Sequence, residues 1–180
     1  MNTVNVKRYL ESFAKQVVRD SKKLLKSAKG STALGNSIRF TVEPTSTGFD
    51  TKFYMDDYGT YLDQGVSGNK KQVSYKDYKG KQRISSFKYT TKGPPIDILS
   101  KWIKKKGIQP KGLGRGRSKK TGQYISGFAY LISRKIKRDG IKSLSFFQRP
   151  LGVGLKDLDK NLLNEVALDI KTYLTTYYRP

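Results

Sequence analysis

The chain has 180 residues, a length suited to one domain, and is 36% hydrophobic, lean for a globular core but sufficient. It contains no Cys and no His, which excludes disulfides, thiolate catalysis and sulfur metal sites and removes the commonest general base and metal ligand. Its formal charge of +23 calls for a polyanionic partner.

That charge is concentrated. Residues 70–121 hold 17 Lys or Arg against Asp77 and Asp97, a net of +15, while the other 128 residues net +8. A focused positive field favours nucleic acid. An anionic membrane surface fits less well, because no amphipathic basic helix with large apolar anchors accompanies the charge. Phe128–Ile132 is the longest apolar run, far short of the ~20 residues of a spanning helix, and Met1–Arg8 lacks the apolar block of a signal peptide.

In chain order, residues 3–28 predict an amphipathic helix. Val6, Leu10, Phe13, Val17, Leu24 and Ala28 recur at three- and four-residue steps, Ser21 fills the gap, and Gly30 ends the run. From Ser37 to Glu43, Ile38, Phe40 and Val42 alternate with polar residues. Pro44–Gly48 supplies turn chemistry, and Phe49, Thr51, Phe53 and Met55 share the next face. These two runs predict an antiparallel hairpin.

The following segment, Asp57–Val66, predicts a short helical turn. Tyr58, Tyr61 and Leu62 stand at i, i+3, i+4 and are expected to face inward, Asp63 and Gln64 to face water, and Gly65 to stop the turn with a positive φ. Asp56, Asp57 and Asp63 form the sole local carboxylate group, a weak oxygen-ligand set with no His or Glu beside it. Between Val66 and Gly93, Val73, Tyr75, Ile84, Phe87 and Tyr89 suit either a twisted hairpin around Lys79-Gly80-Lys81 or a loop that orders on assembly.

Pro94–Asp97 opens a short helix with Ile96, Leu99, Trp102 and Ile103 on its apolar side, Lys104–Lys106 at its end and Gly107 as cap. Gln109–Gly122 is a glycine-rich basic loop whose spacing matches neither a phosphate-cradling loop nor a dinucleotide fingerprint. Its Lys111, Arg115, Arg117, Lys119 and Lys120 are candidates to face DNA, holding phosphates without reading sequence. Tyr124–Lys137 predicts a helix with Ile125, Phe128, Ala129, Ile132 and Ile136 on one face and Arg134, Lys135, Lys137 and Arg138 near its end. Leu155–Tyr177 predicts a last helix whose stripe, Leu155, Leu158, Leu162, Val166, Ile170, Leu174 and Tyr177, is expected in the core, with Asp157, Asp159, Glu165 and Asp169 facing out.

Several of these stretches resemble the tail-completion or neck proteins of tailed bacteriophages. The resemblance rests on Tyr58, Tyr61, Leu62, Asp63 and Gly65 after a long helix and a hairpin, and on Trp102-Ile103 leading to Lys106-Gly107-Ile108. It extends to Ile132–Ile136 leading to Gly140-Ile141, and to Phe146–Leu151 as an aromatic-x-x-proline entry into a last helix, with Leu151 where the family commonly has Ala. The resemblance implies a virion protein at the head-to-tail junction, forming an oligomeric ring around the DNA passage between portal-side connector and tail proteins. It also implies assembly in the host cytoplasm and residence in the neck or tail. The residues alone leave a non-sequence-specific nucleic-acid-binding protein as the alternative, with Tyr75, Tyr78 and Tyr89 as stacking surfaces. No catalytic, cofactor or metal residues and no membrane partner are expected. The expected fold is α+β: an antiparallel sheet packed by the first and last helices, one domain over 1–180, with 66–121 as a flexible basic insertion carrying a short helix.

Overall fold

A computed structural model describes residues 3–28, 32–108, 115–117 and 124–177. In chain order the elements are α1 (Val4–Ser27), α2 (Thr32–Ser37), β1 (Arg39–Thr45), β2 (Gly48–Tyr54) and α3 (Tyr58–Gln64). Then come β3 (Val66–Ser67), β4 (Ser74–Lys76), β5 (Gln82–Ile84), α4 (Ile96–Lys105), β6 (Arg115–Arg117) and β7 (Tyr124–Ser126). The chain closes with α5 (Gly127–Asp139), β8 (Gly140–Ile141), α6 (Gln148–Leu155) and α7 (Leu158–Tyr177). This is the α+β class, with long terminal helices and small antiparallel sheets. The chain divides into two compact units. Unit 1 takes Met1–Asp63, Lys76–Arg83 and Leu144–Pro180, and unit 2 takes Gln64–Tyr75 and Ile84–Ser143.

Unit 1 is built on α1 and the hairpin. Val6, Leu10, Ala14, Val17, Val18, Ser21 and Leu25 are the buried face of α1, the stripe that a 3.6-residue period requires. The helix ends at Ser27, and Gly30 lies outside the described residues. β1 and β2 pair from Arg39–Tyr54 to Thr45–Gly48, so Ser46 and Thr47 form a two-residue turn. Phe49, Thr51, Phe53 and Met55 alternate with exposed residues, as the period-2 pattern implies. The core joins Val17, Val18 and Leu25 to Leu34, Ile38, Phe146 and Phe147. Phe53 meets Phe147 edge to face, with ring centroids 5.3 Å apart.

The last helix departs from expectation in what it buries. Its span is nearly as expected, α7 starting at Leu158 after the separate helix α6, but the later stripe positions are exposed: Ile170 by 43% and Leu174 by 49%. Leu163, Leu168 and Tyr173 are exposed as well. Leu158, Leu162 and Val166 are half-buried, and among the described side chains of α7 only Asp169, expected on the outer face, is fully buried. A leucine stripe records what a helix can bury, whereas only the neighbours, here α1 and α6, decide what it does bury.

In unit 2, β3 pairs with β8 through Val66–Ile141 and Ser67–Gly140. The segment expected to be helical from Tyr124 begins as a strand: Tyr124–Ser126 pairs with Arg115–Arg117, and α5 starts at Gly127. An extended partner is available to Tyr124 and Ile125, and their β preference is satisfied there. α4 packs on α5 and β7 and buries Ile103, but Trp102 is 45% exposed rather than inward. Its end is a Schellman cap: Gly107 N–H donates to Lys104 O and Ile108 N–H to Ile103 O, with Gly107 at φ +64°.

Candidate functional site: a buried carboxylate corner and a basic cavity

The Tyr58–Gly65 corner is built differently from its spacing. Gly59 and Asp63 are buried and Leu62 packs against the core, whereas Tyr58 and Tyr61 are exposed by 39% and 46%. The i, i+3, i+4 face therefore runs through Gly59, Leu62 and Asp63, one residue on from the tyrosine face. The reason lies in what Asp63 touches. Its Oδ1 accepts the Phe147 N–H at 2.8 Å and the Gln148 N–H at 3.5 Å, both at the start of α6. These are amides that a helix leaves without internal acceptors, and Phe147, at the N-cap, has no side-chain oxygen for them. Around them, Leu144 N–H donates to Leu62 O at 2.9 Å and Ser145 N–H to Asp63 O at 3.0 Å. The chain first leaves unit 1 after Asp63 and, apart from the short stretch Lys76–Arg83, returns to it at Leu144, so the first departure and the last return are hydrogen-bonded to each other.

Burial pushes the Asp63 carboxyl above its ordinary value, against the opposing pull of the Phe147, Gln148 and Phe146 amides. Asp56 and Asp57 are exposed while Asp63 turns to α6, so the three carboxylates do not converge. Gly65 has φ +77°, as expected, and a Cβ there would stand 2.7 Å from Ile141 O, Ser143 N and Val73 Cγ1. No other residue fits that position without moving backbone.

α1 is capped in the same manner. Thr3 makes no side-chain cap, and Asp169 of α7 supplies it instead: Oδ1 accepts the Asn5 N–H at 3.1 Å and Asn5 Nδ2 at 2.9 Å, and Oδ2 accepts the Val6 N–H at 3.1 Å. A third carboxylate, Asp77, organises the β4–β5 turn. Its Oδ1 accepts the Lys79 and Lys81 N–H groups, and Arg83 Nε donates to Oδ2 at 3.1 Å. Desolvation pushes the Asp77 carboxyl up, but Arg83 and those amides together hold it below its ordinary value. The hairpin around Lys79-Gly80-Lys81 is thus the alternative that the 66–93 segment adopts.

Unit 2 carries 18 Lys or Arg against Asp97 and Asp139, a net of +16, while the larger unit 1 nets +7. Of the five loop cations expected to face DNA, Lys111, Lys119 and Lys120 lie outside the described residues. Arg115 and Arg117 occupy β6, opposite Ser126 and Tyr124. A second basic group is fully described. The end of α5, the Asn69-Lys70 loop and the start of α4 enclose a cavity of about 690 Å³ lined by Lys70, Tyr130, Arg134, Lys135, Lys137 and Arg138 among others. The loop is fixed there because Asn69 and Lys70 N–H groups donate to Lys137 O and Arg138 O, the free carbonyls at the end of α5.

Two of the cavity cations are committed. Lys137 Nζ donates to Thr91 O at 2.6 Å, and Arg138 makes a bidentate pair with Asp139 at 2.9 and 3.0 Å. The Arg138 guanidinium holds the Asp139 carboxyl below its ordinary value. Lys70, Arg134 and Lys135 make no ion pair among the described residues. Arg134 stands 5.8 Å over the Tyr130 ring, which is 47% exposed. The Arg134–Arg138 cluster was visible in sequence as charge near a helix end, but Lys70, 64 residues earlier than Arg134, carried no signal linking it to that cluster.

Comparison with family models, with curated proteins and with solved structures finds no match to this chain.

Proposed function

We propose that this chain is a structural virion protein of a tailed bacteriophage, one subunit of a ring at the head-to-tail junction through which DNA passes. The observation that carries the reading is the corner at Asp63. Two of the segments that resemble the neck family, Tyr58–Gly65 and Phe146–Leu151, are 80 residues apart in the chain, and a buried carboxylate joins them. Separate, unrelated likenesses would have no reason to meet. Support for partners comes from α7, whose Leu163, Leu168, Ile170 and Leu174 stay exposed in the single chain. The neighbours in this reading are further copies of the chain and the connector and tail proteins on either side. The site is virion neck or tail, after assembly in the host cytoplasm. The role in this reading is structural rather than enzymatic.

The charge of unit 2 favours a second, compatible reading, non-sequence-specific nucleic-acid binding, in which Lys111, Arg115, Arg117, Lys119 and Lys120 hold phosphates. Mass spectrometry and imaging of intact particles test the first reading. The expected result is the protein at the neck. Absence from virions, with the protein confined to infected-cell cytoplasm, overturns it.

A further inference from the structure

We infer that the cavity at the end of α5 is a phosphodiester site, taking unpaired nucleic acid with phosphates on Lys70, Arg134 and Lys135 and a base on the Tyr130 ring. It deepens the nucleic-acid reading of unit 2 and is independent of the ring.

Four observations carry it. Three cations, Lys70, Arg134 and Lys135, which make no ion pair among the described residues, come from two elements and line one concave space. Their positions are set by built structure: the Asn69-Lys70 loop is pinned to the α5 carbonyls, and Ser133 Oγ donates to Pro94 O at 2.7 Å beneath them. Of the two acids in unit 2, Asp139 is held by Arg138 and lies 3.9 Å from Lys71; its charge is also felt by Lys135, so one carboxylate is shared among several cations and the lining keeps a positive excess. The rim adds an exposed ring. A chain of carboxylates gains from the charge but has nothing to place on Tyr130, whereas a nucleotide offers a phosphate and a flat base together.

A volume of about 690 Å³ lies within the range of ligand-sized cavities, roughly 300–1,000 Å³. Duplex DNA keeps its bases stacked inside and can offer only phosphates here, so single strands are the better fit. Recognition is by charge and stacking, and no side chain in the lining is committed to reading a base edge. The site is separate in sequence from the 111–120 loop, which is what allows it to be tested alone.

The experiment uses the full chain and a fluorescein-labelled oligothymidylate of about 20 nucleotides, with fluorescence anisotropy read across a NaCl series. A K70Q/R134Q/K135Q variant is expected to lose affinity and to flatten the log–log salt slope by about 2, from three phosphate contacts at roughly 0.7 each. Tyr130→Ala is expected to weaken single-strand binding about tenfold and leave the salt slope and duplex binding nearly unchanged. Circular dichroism of each variant checks that the fold is retained, and all four side chains are solvent-facing enough for that to be expected. An unchanged slope in the triple variant overturns the site. So does displacement of the probe by polyglutamate as readily as by unlabelled oligothymidylate, which would assign the cavity to acidic polypeptide. Absence of the protein from virions would sink the ring and leave this result standing.

Discussion

Replacing Asp63 separates the acceptor role of its side chain from its charge. Asp63→Ala leaves the buried Phe147 N–H without an acceptor, at a cost of about 1–3 kcal/mol, and removes a negative charge from the start of α6, worth about 0.3–1 kcal/mol more. Relief from burying a carboxylate returns part of this, so the net loss expected is about 1–3 kcal/mol. Asp63→Asn keeps an oxygen for Phe147 and should stay within about 1 kcal/mol of the parent. The pH dependence gives an independent check. Because burial raises the folded-state pKa, the native carboxyl holds its proton to higher pH than the unfolded chain does. Above the ordinary value of 3.8, stability therefore falls as pH rises toward the raised value, and Asp63→Asn removes that fall. Urea unfolding followed by far-UV circular dichroism measures both. Fluorescence of Trp102, the single tryptophan, reads unit 2 separately. Equal effects below about 0.5 kcal/mol for both variants, or a falling limb that persists in Asp63→Asn, would refute this account of the corner.

Asp169→Ala should destabilise by about 1–3 kcal/mol through the orphaned Asn5 and Val6 amides, while Ile170→Ala, one residue on, should cost below about 0.5 kcal/mol in the isolated chain, both by urea unfolding. Ser21 is fully buried in α1 and its hydroxyl has no hydrogen-bond partner among the described residues, so Ser21→Ala should raise stability by about 0.5–1 kcal/mol, read as a higher midpoint of thermal unfolding.

What was legible in the sequence was periodic. α1 announced itself through Val6, Leu10 and Val17, and the hairpin through Phe49, Thr51 and Phe53, because a repeating face is a local property of the chain. The buried carboxylates were illegible for the opposite reason. Asp63 and Asp169 read as surface acids, since polarity predicts exposure unless the distant helix start that needs them is known. The α7 stripe misled in the converse direction, promising burial that its packing against α1 and α6 does not provide. The charge of the middle segment was plain, and its division into a loop and a cavity was not, because Lys70 joins Arg134 only through hydrogen bonds to carbonyls.

The cap that Asp169 places on α1 bears on the order of folding during synthesis. Asn5 and Val6 leave the ribosome long before their acceptor, which follows 164 and 163 residues later. Unit 1 is likewise split into three stretches, so its pieces must wait while all of unit 2 is translated. Such long sequence separations slow the closing step, and meanwhile Val17, Val18 and Leu25 have no Phe146 to cover them. Unit 2, continuous but for one short excursion, can fold first. The late arrival of α6 and α7 then acts as a latch, and a chain stalled before Leu144 would present an apolar α1 to whatever binds nascent hydrophobic surface.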